Sequence, residues 1–178
     1  MKQGTIVLKT ERLILRRFKE SDLDAFYNNW ASNDNVTKYL SWPTHKDKNV
    51  TKIILDGWIK DYEHGIYNWA ISVIEQDELI GNISVVKDDY QDKMCEIGYC
   101  IGEAYWNKGY TSEALKKVIE YLFIEGYETI IAKHDVNNHA SGKVMLKAGM
   151  KFKERQLKCT KNNQGLVDCD IYYIKRSK

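Results

Sequence analysis

Apolar positions along the chain follow two periods, and the switches between them set the expected elements. In the stretch Thr5–Phe18, Leu13 and Leu15 alternate with Arg12, Ile14 and Arg16, which predicts a strand entered through a turn. Ser21 suits a helix cap, and Leu23, Phe26, Tyr27 and Trp30 follow at helical spacing. A polar break at 31–35, a short segment at 36–40 and a loop at 41–49 come next. Ile53, Ile54, Trp58 and Ile59 predict another helix, ending near Gly65. Ile66–Ile74 and Glu78–Val86 predict a hairpin across Gln76-Asp77, and Met94–Ile101 a further strand. Then the period changes. Leu115, Val118, Ile119, Leu122 and Phe123 line one helical face, closed by Gly126. Glu128–Val136 is expected as a strand. A short helix follows, capped by Asn138 and ended before Gly149. The segments FKERQLKCT and LVDCDIYYIK then predict a last hairpin around NNQG.

This order predicts an α/β (α+β) fold: a mixed, mostly antiparallel sheet of about seven strands with helices on both faces. The length of 178 residues, a single proline (Pro43) and the lack of any repeat or low-complexity tract predict one domain over 1–178. Lys and Arg total 27 against 25 Asp and Glu, a net charge of +2, so no strong attraction to nucleic acid or acidic membranes is expected. No apolar run approaches the roughly 20 residues of a membrane span, and the N-terminus lacks a signal-peptide core. The cytoplasm is therefore the expected compartment. Cys95, Cys100, Cys159 and Cys169 form no CxxC pair and have no histidines at zinc-site spacing. They are read as reduced thiols in strands, with Cys159 and Cys169 facing each other across the last hairpin, and no metal site is expected.

The join between the strand Met94–Ile101 and the helix after it is the informative place. Asn107, Lys108, Gly109, Tyr110, Thr111 and Ser112 stand where a helix should start. A helix N-terminus leaves its first amides unpaired and carries partial positive charge. A glycine there lets a ligand approach the backbone, so the stretch is either an anion site or an ordinary turn with a solvated lysine. Neither the Walker order nor GxGxxG is present. A second polar helix start, Asn138-His139-Ala140-Ser141 with Lys143 and Lys147 behind it, follows the next strand. Two strands thus each deliver a helix N-terminus, which suits a ligand with a long polar arm and phosphates.

The segments EIGYCIGEAYWNKGYTSEALKKVIEYLF and AKHDVNNHASGKVMLKAGMKF resemble the acyl-CoA-binding core of the GNAT N-acetyltransferase superfamily. TERLILRRFKESDLDAF and VTKYLSWP are similar to its ribosomal-protein N-terminal acetyltransferase (RimJ/RimL-type) branch. The resemblance implies the GNAT acyl-CoA acyltransferase fold and acetyl transfer from acetyl-CoA to a primary amine, with no metal. By resemblance, the amides of Asn107 to Ser112 hold the pyrophosphate. Tyr99, Cys100 and Ile101 pair with the pantetheine arm, Asn138 and Ser141 contact the same region, and Lys143 and Lys147 reach phosphate or nucleotide. Trp106 and Thr111 depart from the family's usual loop residues, and Met145 stands where many relatives carry a tyrosine acid.

The chemistry sets its own requirements. An amine of pKa about 8 at a chain terminus, or about 10 on a lysine, must lose a proton before attack. The thioester oxygen needs a hydrogen-bond donor as charge develops on it. Glu96, on the strand that the family uses to line the acetyl group, is the candidate base; otherwise it is a surface glutamate. Ser141 is the candidate acid in place of Met145, or else a capping hydroxyl. An acyl-cysteine on Cys100 is a minor alternative. Trp30, Tyr39 and Trp42 are the aromatic candidates for the acceptor side. No acidic cluster favours a polyamine, so a protein N-terminus is the expected acceptor. A small-molecule amine (polyamine, amino acid or antibiotic) and a catalytically silent acyl-CoA-binding regulator are the alternatives. The resemblance, and not the residues, implies a homodimer.

Overall fold

The structure is a computed structural model that describes residues 2–177. Thirteen elements of regular structure carry the site. They are β1 (Leu8–Lys9), β2 (Leu13–Arg16), α1 (Leu23–Phe26), α2 (Asp34–Thr37), α3 (Lys48–Asp61), β3 (Asn68–Val73), β4 (Glu78–Asp89), β5 (Met94–Ile101), α4 (Tyr110–Ile124), β6 (Thr129–Asp135), α5 (His139–Lys147), β7 (Lys151–Asn162) and β8 (Gly165–Lys175). Their strands form one eight-stranded sheet in the order β1-β2-β3-β4-β5-β6-β8-β7. The eighth strand arises because Thr5–Phe18 is not one strand. The chain turns at Thr10, whose amide binds the Leu13 carbonyl at 3.0 Å, and β1 folds back on β2.

The pairing is antiparallel throughout except between β5 and β6. That exception shapes the molecule. The two parallel strands pair only at Met94↔Thr129, Cys95↔Ile130 and Glu96↔Ile131. β5 then continues five residues along β4, to Ile101, and β6 continues along β8 to Asp135. Beyond Glu96 the strands part, and each keeps an unpaired edge toward the gap.

Two cores lie on opposite faces. Alternation along β5 sends Cys95, Ile97 and Ile101 to one face, where Leu115, Val118, Ile119 and Leu122 of α4 and Met145 of α5 cover them. The four α4 positions are among the five that the spacing singled out. Each is buried, at about 1.5–3 kcal/mol per fully covered side chain. The other face carries Cys100 with Phe18, Phe26, Trp30 and Leu55. Here the expectations need two corrections. Ser21 caps nothing: the turn Glu20–Asp22 is bounded by Lys19, and the segment after α1 widens into a π-helical turn over Tyr27–Ala31. In α3, Ile53 and Ile54 are exposed and Thr51 and Leu55 face the core, so the helix is as expected but its buried face is rotated.

Candidate functional site

The gap between β5 and β6 opens a cleft of ≈ 400 Å³. It is reached by side chains from both faces of the sheet. From the α4–α5 face come Tyr99, His134, Asn138 and Ser141; from the other come Glu96, Lys133, Asp135, Tyr39 and Trp42. Part of the expected set lines it, with Glu96 and Ser141 on opposite sides of the opening, while Ile101 and the 107–112 loop do not. Trp30 does not join it. It is fully buried and stacked on Phe26 at 4.7 Å, a core residue with no surface to offer an acceptor.

The start of α4 lies beside the open end of β5. Asn107 has φ 61° and Gly109 φ 80°, with Lys108 between them in an ordinary conformation. Alternation of backbone hand curls successive N–H groups toward one centre, a geometry suited to anions. α4 has no side-chain cap. Among the described residues, none of the amides from Asn107 to Ser112 is hydrogen-bonded. Asn107, Lys108 and Gly109 are exposed, Tyr110 and Ser112 half-buried, and Thr111 buried. The loop is held from beneath. Arg12 donates to the Lys108 carbonyl at 2.9 Å and lies 4.7 Å over the Tyr110 ring. Glu113 binds Thr10 at 2.6 Å and the Arg12 Nε at 2.7 Å. Burial works against the Glu113 charge, yet the Thr10 and Arg12 hydrogen bonds outweigh it and hold the carboxyl below its ordinary range.

The start of α5 is finished differently. The Asn138 side chain accepts from the Ser141 amide at 3.4 Å, as a helix cap. The Tyr99 hydroxyl reaches across from β5 to the Ser141 carbonyl at 3.0 Å and the Ser141 Oγ at 2.9 Å. A carbonyl only accepts, so with the phenol proton given to it the Ser141 hydroxyl proton closes the second contact. Burial raises the Tyr99 phenol, with the Ser141 bond pulling the other way, so Tyr99 keeps its proton and serves as an anchor. His134 Nδ1 lies 2.7 Å from the Asp135 carbonyl and so carries the ring proton; its Nε2 is buried without a partner among the described residues. A Cβ on Gly142 would stand 2.7 Å from that nitrogen, so glycine is what lets α5 seat on β6. Lys143 and Lys147 are exposed and do not line the cleft.

Several contributors escaped the sequence. Lys133 pairs with Glu96 at 3.1 Å. Asp135 is buried and satisfied by Asn137 at 2.9 and 3.1 Å and by Asn162 at 2.8 Å. Asn163, in the β7–β8 turn, donates to the carbonyls of Thr37 and Trp42 and clasps the hairpin to the Tyr39–Trp42 wall. Lys133 shares the Glu96 face through the β5–β6 register, and neither that register nor the Asn163 clasp had a local signal. Burial pushes the Cys100 thiol up to about 12, so it stays protonated at neutral pH and makes a poor nucleophile. All four cysteines are free; burial first and then Cys159 push Cys169 up to about 12. The carbonyl of Ile101 is held by the Trp106 indole at 2.9 Å, which ends the open edge of β5 there.

The arrangement is thus a run of unbonded amides at 107–112, an open edge on the strand before it and a carboxylate where the two strands part. Comparison with known proteins bears on the family and the fold. The chain is 34% identical over 141 residues to the uncharacterized N-acetyltransferase p20 of Bacillus licheniformis, covering 78% of each. It is 27% identical to the ribosomal-protein-serine acetyltransferase of Escherichia coli (strain K12), covering 79% of each. A crystal structure of a GNAT-family acetyltransferase from Bacillus anthracis superposes with a TM-score of 0.84 at 29% identity, covering 96% of this chain and 98% of that one. The model of the acetyltransferase (GNAT) domain matches residues 12–151, and the chain belongs to that family of N-acetyltransferases.

Proposed function

We propose that this chain transfers the acetyl group of acetyl-CoA to the α-amine of a protein N-terminus, in the cytoplasm. The observation that carries the reading is the open amide array of Asn107–Ser112 at the end of a strand pair that parts beyond Glu96. The array fits a pyrophosphate. The unpaired edge of β5 fits the pantetheine amides as an added strand would. Acetyl-CoA, when bound, supplies the activated acetyl group. The chain's own residues do the rest. Glu96, on the acceptor face, takes the proton from the incoming amine. Ser141, on the donor face and held by Tyr99, turns its hydroxyl proton from Tyr99 to the departing sulfur and regains one from solvent. Unpaired amides along β5 are the donors available to the carbonyl oxygen. Tyr39 and Trp42 form the wall past which the acceptor enters.

Support for a protein acceptor comes from the similarity to the ribosomal-protein-serine acetyltransferase. Among the described residues no helix is long and apolar enough to cross a membrane. The test is release of coenzyme A thiol with acetyl-CoA and a panel of acceptors. Peptides with a free N-terminus should be turned over. Turnover confined to polyamines, amino acids or aminoglycosides would replace the acceptor assignment. Tight acetyl-CoA binding with no turnover on any acceptor would make the chain a silent acyl-CoA binder.

A further inference from the structure

Lys133 and Glu96 meet at the throat of the cleft, where β5 and β6 have just parted. The Lys133 ammonium lies 3.1 Å from one carboxylate oxygen of Glu96 and 3.4 Å from the other. Both side chains are largely covered, Glu96 18% and Lys133 34% exposed. Alternation along the strands puts both on the acceptor face, lining the cleft with Tyr39 and Trp42. An external amine that is to lose its proton to Glu96 must come to the carboxylate that the Lys133 amine already contacts through both oxygens. The chain thus presents one of its own primary amines, hydrogen-bonded to the base, in an acetyl-transfer cleft.

We propose that Lys133 is a self-acetylation site: without an external acceptor, its amine takes the acetyl group from the bound acyl-CoA thioester. This inference rests on the acetyl-transfer reading of the cleft. In the step, the Lys133 ammonium gives one proton to Glu96, and the neutral Nζ attacks the thioester carbonyl carbon. The N–C bond forms and the C–S bond breaks. Of the two protons that the ammonium gives up in all, one ends on the thiol of the released coenzyme A. The other, passed through Glu96, reaches solvent. No oxidant or reductant is involved. The product, an Nε-acetyl-lysine, carries no charge, so the ion pair dissolves and Glu96 is left facing the next amine. Burial disfavours the Lys133 charge, but the hydrogen bond and charge of Glu96 outweigh it and hold the ammonium above its ordinary range. The reaction is therefore slow at neutral pH and quickens as pH rises, because the neutral amine is the nucleophile.

The test uses the full chain with acetyl-CoA and no acceptor, followed by peptide mapping with mass spectrometry at neutral and mildly alkaline pH. One acetyl group should build up on Lys133 with a first-order rate independent of protein concentration. That rate should exceed acetylation of the exposed Lys158 by about 10-fold or more, as proximity in a bound complex requires. Lys133→Arg keeps the ion pair and should abolish the modification there while acetyl-CoA still binds by calorimetry. Modification of Lys133 no faster than of Lys158, or a rate that grows with protein concentration, would overturn the proposal. If acetyl-CoA binds and acceptors are turned over while Lys133 stays unmodified, self-acetylation fails and the cleft reading stands. If acetyl-CoA does not bind, both fail.

Discussion

The starts of α4 and α5 are the helix N-termini that follow the two strands flanking the cleft, yet they are finished in opposite ways. α4 begins with two left-handed residues and no side-chain cap. α5 begins with a capping asparagine, a serine tied to Tyr99 and a glycine pressed on His134. A helix start left open is a place for a ligand's charge, because its amides lack partners in the fold. A helix start tied down on every side is a place where a particular side chain must not move. The first end is thus suited to hold the donor, the second to hold the group that acts on it.

Substitutions should separate these roles. The largest effect is expected from Gly109→Val. A β-branched residue at φ 80° disturbs the amide array and should weaken acetyl-CoA by about 100-fold in calorimetry, about 3 kcal/mol. Ser141→Ala should lower kcat about 100-fold, the lower end for a lost proton donor, and leave acetyl-CoA affinity within about twofold. Tyr99→Phe should cost about 10-fold in kcat, in line with mispositioning, and nothing further in a Ser141→Ala background. An additive loss would give Tyr99 a separate role. Asn138→Ala removes the α5 cap and should cost about 1 kcal/mol of stability, a melting shift of about 2–4 °C. Smallest is the pH effect at α4. Glu113 has a depressed folded pKa, so its contribution is present above the unfolded value of 4.5 and lost as pH falls through the folded one. Acid should therefore loosen the tie from α4 to Thr10 and Arg12, seen as a shallower acid transition in Glu113→Gln.

The same contrast explains what the sequence disclosed. The α4 loop was legible because its signals are local: a glycine, polar neighbours and a helical period that begins just after them. Strand β5 was legible to its end residues for the same reason. The parting of β5 from β6 was not, since a parallel pair that closes for three residues and then opens leaves no mark on either strand. Trp30 was misplaced because an aromatic at helical spacing does not say which way its face turns, and the π-helical turn rotates it into the core. The Lys133–Glu96 pair and the Asn163 clasp join residues 37 and 121 or more positions apart, and only the folded sheet brings them together.

The division of labour between the two helix starts is tested most directly by following backbone amides of the isotope-labelled chain during a titration with acetyl-CoA. The account predicts that the amides of Asn107 to Ser112 shift most and gain protection from hydrogen exchange, while the Ser141 amide, already capped, changes little. Saturable binding that leaves the 107–112 amides unmoved would contradict it.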